Sequence, residues 1–165
     1  MDIRTTLSQR CSKEISHQIA AYIGNNQRRF SELMELVLGD DDQLSKYSAW
    51  VVQHCLQKQP QLIKPHLEAM IQNLDKPNLN DSVVRSTVKA LAETGIPEHL
   101  QGRVLQLCFD YLLDPKVAVA IRVHAMQTIF NISKNEPDLL MELREVIQEW
   151  MPYGSAGFRS RGRKI

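Results

Sequence analysis

Apolar residues recur at three- and four-residue spacings along most of the chain, a pattern typical of amphipathic α-helices. The spacing is clearest in the segments LMELVL, HLEAMIQNL, VVRSTVKALAET, RVLQLCFDYLL and DLLMELREVIQEW. No segment sustains the alternation of apolar and polar residues that a half-buried strand shows. Short turn sequences such as GDDDQ, TGIPE and DPK separate the helical segments, which indicates antiparallel neighbouring helices. The pattern therefore predicts an all-α protein.

Two independent markers repeat along these helices. One kind of helix opens with a proline, and the spacings are 37 and 40 residues: Pro60, Pro97 and Pro137. The other kind carries a basic residue followed three positions later by a small or β-branched residue, with spacings of 39 and 37 residues: Lys46, Arg85 and Arg122. Because both markers share a period near 38 residues, we interpret the chain as an array of helix-pair repeats.

The best-formed repeat, PQLIKPHLEAMIQNLDKPNLNDSVVRSTVKALAET, resembles the HEAT repeat of the armadillo-type solenoids. It contains the proline, the leucines, Asp75 and the Val84-Arg85 pair of that motif, and the next repeat keeps Asp114 and the Ile121-Arg122 pair. The first repeat departs from the motif, with Gln27 in place of the proline and Lys46 in place of the arginine.

The resemblance implies a right-handed α-solenoid of about four helix pairs whose second helices line a concave binding surface. It also implies a structural ladder between repeats, formed by Asp75, Arg85, Asp114 and Arg122. We expect a single domain over residues 1–165, with an N-terminal capping helix in residues 1–24. The approximate repeats are residues 25–58, 59–95, 96–135 and 136–165.

The C-terminal segment WMPYGSAGFRSRGRKI fits the same register, because the basic marker extrapolates to Arg159. We predict that it begins a further helix, with Ser155 as the N-cap and with Phe158 and Ile165 on one apolar face. The alternatives are a frayed basic tail and a polyanion-binding segment.

Charge and composition limit the classes of partner. The net charge is +1, from 20 Lys and Arg against 19 Asp and Glu, and four of the basic residues follow Gly154. The remaining chain is slightly acidic, which does not favour binding to many phosphates at once. The chain has no apolar run long enough for a signal peptide or a membrane span, so a cytoplasmic protein without a membrane partner is expected.

Candidate catalytic chemistry is sparse. The three cysteines lie in amphipathic segments and are expected to be buried and reduced, and the five histidines show no zinc-ligand spacing. His54 and Cys55 are adjacent, but neighbours on a helix point about 100° apart and do not meet as base and nucleophile. No metal or cofactor is expected. A remote alternative is a lyase of the fumarase and adenylosuccinate lyase superfamily, because Met151–Tyr153 resembles part of its signature without the flanking serines and lysine.

The favoured function is a non-catalytic scaffold that binds another protein through the concave face, as a monomer or weak dimer. Positions facing away from the core on the second helices are the binding candidates: Tyr47, Trp50, His54, Ser86, Lys89, Glu93, Val123, Gln127 and Phe130. If the helices are rotated by one position, Trp50 and Phe130 belong to the core instead. The main alternative is nucleic-acid binding, in the manner of HEAT-like alkylpurine DNA glycosylases.

Overall fold

The computed structural model describes residues 1–165 and confirms the all-α prediction, since it contains ten α-helices, one 3-10 helix and no strand. The first helices are α1 (Ile3–Gln9), α2 (Lys13–Ile23), α3 (Gln27–Leu38), α4 (Asp42–Lys58), the 3-10 helix (Pro60–His66) and α5 (Leu67–Asn73). They are followed by α6 (Asp81–Glu93), α7 (Glu98–Leu113), α8 (Val119–Ser133), α9 (Pro137–Trp150) and α10 (Ala156–Gly162). The chain forms two compact units, Met1–Ala90 and Leu91–Ile165, and the boundary falls within α6.

Short polar side chains determine where half of the α-helices begin. In each case the side chain of the N-cap residue accepts a hydrogen bond from the backbone N–H three residues later: Asp2, Ser12, Asn26, Asp41 and Ser155. Each cap satisfies one N–H that the first turn of a helix leaves without a partner, and such a cap contributes about 1 kcal/mol.

The N-terminal segment forms two helices rather than the single capping helix expected from the sequence. The break occurs because the Ser12 hydroxyl caps α2, accepting from the Ile15 N–H at 3.2 Å. Leu7 of α1 and Ile19 of α2 are fully buried, and both helices pack on α4. Residues 1–24 therefore contribute a helix pair to the first unit.

The helix predicted to open at Pro60 is not a regular α-helix throughout. Residues Pro60–His66 form a 3-10 helix, and the α-helical conformation begins only at Leu67. Pro65 explains the difference, because proline lacks an N–H donor and its ring clashes with the carbonyl four residues earlier in an α-helix. Leu62 and Ile63 are nevertheless fully buried, and the 3-10 helix packs on α3 and α4.

Hydrogen bonds join successive helix pairs at sequence separations close to the predicted period. Examples that connect residues 37 to 39 positions apart are Ser86 to Ala49, Lys76 to Leu38 and Asn131 to Ala92. The pairs α3–α4, α7–α8 and α9–α10 each lie within one predicted repeat range. The assignment of repeat boundaries stays a prediction.

In the second unit α8 packs on α7, α9 and α10. The C-terminal segment is the predicted helix, since Ser155 caps α10 and Phe158 is only 1 % exposed. The buried Arg122 guanidinium lies 4.9 Å from the centroid of the Phe158 ring and 5.1 Å from that of Trp150. These cation–π contacts join α8 to α9 and α10.

The residues predicted to form a ladder have different surroundings. Asp75, Arg85 and Asp114 are exposed, whereas Arg122 is buried and donates from Nε and Nη2 to the Leu112 carbonyl at 3.1 and 2.9 Å. Burial lowers the pKa of Arg122, and the nearby Asp114 charge opposes this shift. Arg122 thus links helices through a carbonyl and aromatic rings, and a ladder that includes Asp75 and Arg85 remains a prediction.

Phe158→Ala is expected to lower the free energy of unfolding by about 2 to 4 kcal/mol, because it removes a fully buried ring and its contact with Arg122. Urea denaturation followed by circular dichroism measures the change. Tyr153→Ala is the matched control, since Tyr153 is 82 % exposed and should shift the value by less than about 0.5 kcal/mol. Equal effects of the two substitutions would contradict the packing of α10.

Two glycines should respond in opposite ways to alanine. Gly24 ends α2 at a φ of +52°, which L side chains rarely adopt, so Gly24→Ala should destabilise the protein by about 1 to 2 kcal/mol. Gly102 lies inside α7 with open space around its Cα, so Gly102→Ala should stabilise it by about 0.5 to 1 kcal/mol. Thermal unfolding of both variants tests the pair, and stabilisation by Gly24→Ala would show that α2 does not end as described.

Candidate protein-interaction surface

Side chains from three helices of the first unit form a continuous candidate surface around α4. We call it the α4 surface; it comprises Lys13 and His17 of α2, Tyr47, Trp50, His54 and Lys58 of α4, and Lys89 of α6. The α4 members recur at spacings of three and four residues, which places them on one side of that helix. Packing of α2 against α4 brings the α2 members beside them.

Trp50 is the principal apolar feature of this surface. Its side chain is 41 % exposed, and its ring centroid lies 5.9 Å from that of His54. Tryptophan is large and amphipathic and is enriched among the residues that dominate binding energy at protein interfaces. An exposed tryptophan held against a neighbouring ring is a suitable anchor for a partner.

His54 lies against a second histidine from the neighbouring helix. The ring centroids of His17 and His54 are 4.1 Å apart, with an interplanar angle of 35°. Both ring nitrogens of His54 are enclosed and form no hydrogen bond of acceptable geometry, although the Gln57 amide lies close enough to raise the His54 pKa. Buried polar atoms usually have partners, so an unsatisfied imidazole at a surface groove is notable.

A groove of about 420 Å³ lies beside this histidine pair. Its walls come from the C-terminal parts of α2 and α4 and from the residue after each: His17, Ala20, Ala21, Gly24, His54, Cys55, Gln57, Lys58 and Gln59. No carboxylate lines the groove, and its titratable groups are two histidines, one lysine and one thiol.

The charge distribution of the three helices is asymmetric. Each of α2 and α4 carries one acidic residue, in its first turn, namely Glu14 and Asp42, whereas α6 carries Asp81 in its first turn and Glu93 at its end. The pKa of His54 is lowered mainly by burial, and electrostatic interactions with His17, Lys13 and Lys89 lower it further. The α4 surface is thus predominantly basic around His54.

The structure brings four of the predicted binding residues together, namely Tyr47, Trp50, His54 and Lys89. Ser86 is buried, because its hydroxyl donates to the Ala49 carbonyl at 3.0 Å and accepts from Gln53 Nε2 at 2.7 Å. Ser86 therefore positions α6 on α4 and is not part of the α4 surface.

The remaining predicted residues lie in the second unit. Glu93 is exposed at the end of α6, and Val123, Gln127 and Phe130 are half-buried on α8. The Gln127 side chain is already engaged, since its Oε1 accepts from Arg161 Nη1 at 2.8 Å. The Phe130 ring has the Lys134 ammonium 5.7 Å from its centroid.

Sequence reasoning missed Lys13, His17 and Lys58 as members of the surface. His17 lies in the N-terminal segment, outside the predicted repeats, and its structural partner is His54 in the first predicted repeat. The sequence does contain a clue to this contact, because His17 and His54 are 37 positions apart, which is close to the repeat period. Residues one period apart in a helical-repeat array lie on neighbouring helices.

The other groups considered for catalysis are not assembled into a reactive site. Burial raises the pKa of the Cys55 thiol to about 12, so this neighbour of His54 is not an activated nucleophile. In the second unit a cavity of about 630 Å³ has Glu98 and Glu136 as its only titratable lining residues. Residues 151–153 form a turn after α9 in which Tyr153 is exposed.

The stacked helix pairs define this chain as a helical-repeat protein of the all-α class. A family model described as the HEAT repeat domain matches residues 3–165, and the chain therefore belongs to the HEAT repeat family, which is consistent with an α-solenoid. No curated protein and no solved structure gives a significant match. No helix has both the length and the apolar character needed to cross a membrane.

The three thiols should differ in reactivity with a disulfide reagent such as dithionitrobenzoate at about pH 8. Burial raises the pKa of Cys55 and of Cys108 to about 12 and shields both thiols, whereas Cys11 is half-buried and its pKa is raised by partial burial. One thiol should react rapidly and two only after unfolding, and Cys11→Ser should remove the rapid phase. Rapid labelling of Cys55 in Cys11→Ser would contradict the packing of the groove wall.

Proposed function

We propose that this protein is a non-catalytic scaffold that binds another protein through the α4 surface. The observation that carries the proposal is the exposed Trp50 ring held beside His54 and the adjoining groove. HEAT repeats generally mediate protein interactions, which supports the same class of function.

The first unit is preferred over α8 as the binding region because its principal apolar candidate is exposed. Trp50 presents an exposed ring, whereas Gln127 is hydrogen-bonded to Arg161 and Phe130 is partly covered by Lys134. Val123, Gln127, Phe130 and Glu93 form a secondary candidate region on the second unit. A nucleic acid is the less favoured partner, because polyanion binding gains its affinity from many phosphate contacts and the α4 surface has only three lysines.

Affinity capture from a cell lysate with the immobilised full-length chain tests the proposal. Trp50→Ala should reduce the amount of the main captured protein by about tenfold or more, because truncating an aromatic anchor commonly costs at least 2 kcal/mol of binding energy. Tyr153→Ala, which removes an exposed aromatic from the second unit, is the matched control and should leave capture unchanged. Capture that is equal for wild type and Trp50→Ala, with unchanged thermal stability, would refute a binding role for this surface.

A further inference from the structure

Four cationic or protonatable groups lie around His54, three on the helices packed against α4 and one on α4 itself. Lys13 and His17 approach from α2, Lys58 lies on the same helix, and Lys89 approaches from α6. Glu14 is the only carboxylate on α2, and its pKa is lowered by a backbone hydrogen bond and by Ser12, so it stays ionised near neutral pH. Asp42 and Asp81 lie in the first turns of α4 and α6, away from the C-terminal parts of α2 and α4 that form the groove.

The enclosed nitrogens of His54 form no hydrogen bond of standard geometry and have the Gln57 amide nearby, although the residue lines the groove. His17 and Gln57, which lie beside it, belong to exposed residues, so their side chains have solvent on one side into which they can rotate. Rotamer changes of this kind are common when an interface forms. A hydrogen-bond acceptor that enters the groove can therefore reach the imidazole, and an anionic acceptor also reduces the repulsion between the neighbouring positive charges.

We infer that the α4 surface binds an acidic segment of a partner protein, with a carboxylate at the His17–His54 pair and an apolar side chain on Trp50. This inference rests on the proposed scaffold function and specifies the chemistry of the partner. Charge complementarity identifies the acidic character, since the groove is lined by His17, His54 and Lys58 and by no carboxylate. Trp50, 5.9 Å from His54, places the apolar contact directly beside the charged one.

A protein carboxylate fits this site better than a nucleic acid does. Non-specific nucleic-acid affinity requires a row of cations along the phosphate backbone, whereas the cations here converge on one enclosed imidazole pair. The groove of about 420 Å³ is large enough for a few side chains of an extended peptide.

Binding is expected to strengthen as the pH falls from about 8 to about 6. A bound carboxylate favours the protonated form of histidine, so the complex takes up protons and its affinity rises with acidity. In the free protein burial and the surrounding positive charges lower the pKa of His54, which leaves it neutral at pH 8. Glu14 stays ionised over this range because its pKa is lowered, so His54 supplies the pH dependence of the site.

The inference can be tested by selecting random linear peptides displayed on phage against the full-length protein, then measuring a selected peptide by fluorescence anisotropy. The selected peptides should be enriched in Asp or Glu next to an aromatic or aliphatic residue. Affinity should be about tenfold weaker for Lys58→Glu, whereas Lys64→Glu, the same charge change on the 3-10 helix, should leave it unchanged. His54→Gln should remove most of the pH dependence.

Lys58 is exposed, so Lys58→Glu tests the site even if His54→Gln fails to fold. Selection of neutral or basic peptides, selection of no peptide, or equal binding to wild type and Lys58→Glu would overturn the inference. Duplex DNA that competes with the peptide at equal affinity would also overturn it, by showing a polyanion site. If lysate capture still depends on Trp50 in any of these cases, the scaffold function stands and only the acidic specificity fails.

Discussion

The buried hydroxyl of Ser86 fixes the arrangement on which the candidate surface depends. It bridges α6 to α4 by donating to the Ala49 carbonyl and accepting from Gln53. Because both partners lie on α4, the bridge sets how α6 is rotated about its own axis and how far it is shifted along α4. A buried hydroxyl left without these partners would cost about 1 to 3 kcal/mol, so alternative registers are disfavoured. Lys89, one turn further along α6, consequently faces the side of α4 that carries His54.

Much of the fold can be predicted from features that are recognisable in the sequence. The repeated prolines and basic residues mark the period, and Ser155 followed by Phe158 marks the last helix. The predicted helices differ from the observed ones where a single proline or a capping side chain interrupts a regular helical pattern. Pro65 tightens the start of its segment into a 3-10 helix, and the Ser12 cap divides the N-terminal segment. Neither effect changes the spacing of apolar residues, so periodicity alone does not reveal it.

The candidate site was only partly predictable. Trp50 and His54 follow from the outward face of α4, because that face is set by the helix's own periodicity. Ser86 was placed outward from its helical register alone, whereas its hydrogen bonds with Ala49 and Gln53 place it between α6 and α4. The contact of His17 with His54 required knowledge of which helices are neighbours, and a short-range motif search does not provide this.

The hydrogen bonds between helix pairs have a further consequence for folding. The longest-range side-chain bonds within the units join residues 39 positions apart, as in Gln27 to His66 and Asn131 to Ala92. To form such a contact, the chain has to close a loop about one repeat long. The entropy lost on closing a loop rises only slowly with its length. Contacts confined to neighbouring repeats keep the contact order low, and low contact order favours rapid folding. Each helix pair becomes stable when its neighbour forms, so assembly during synthesis can proceed from the N-terminus one repeat at a time.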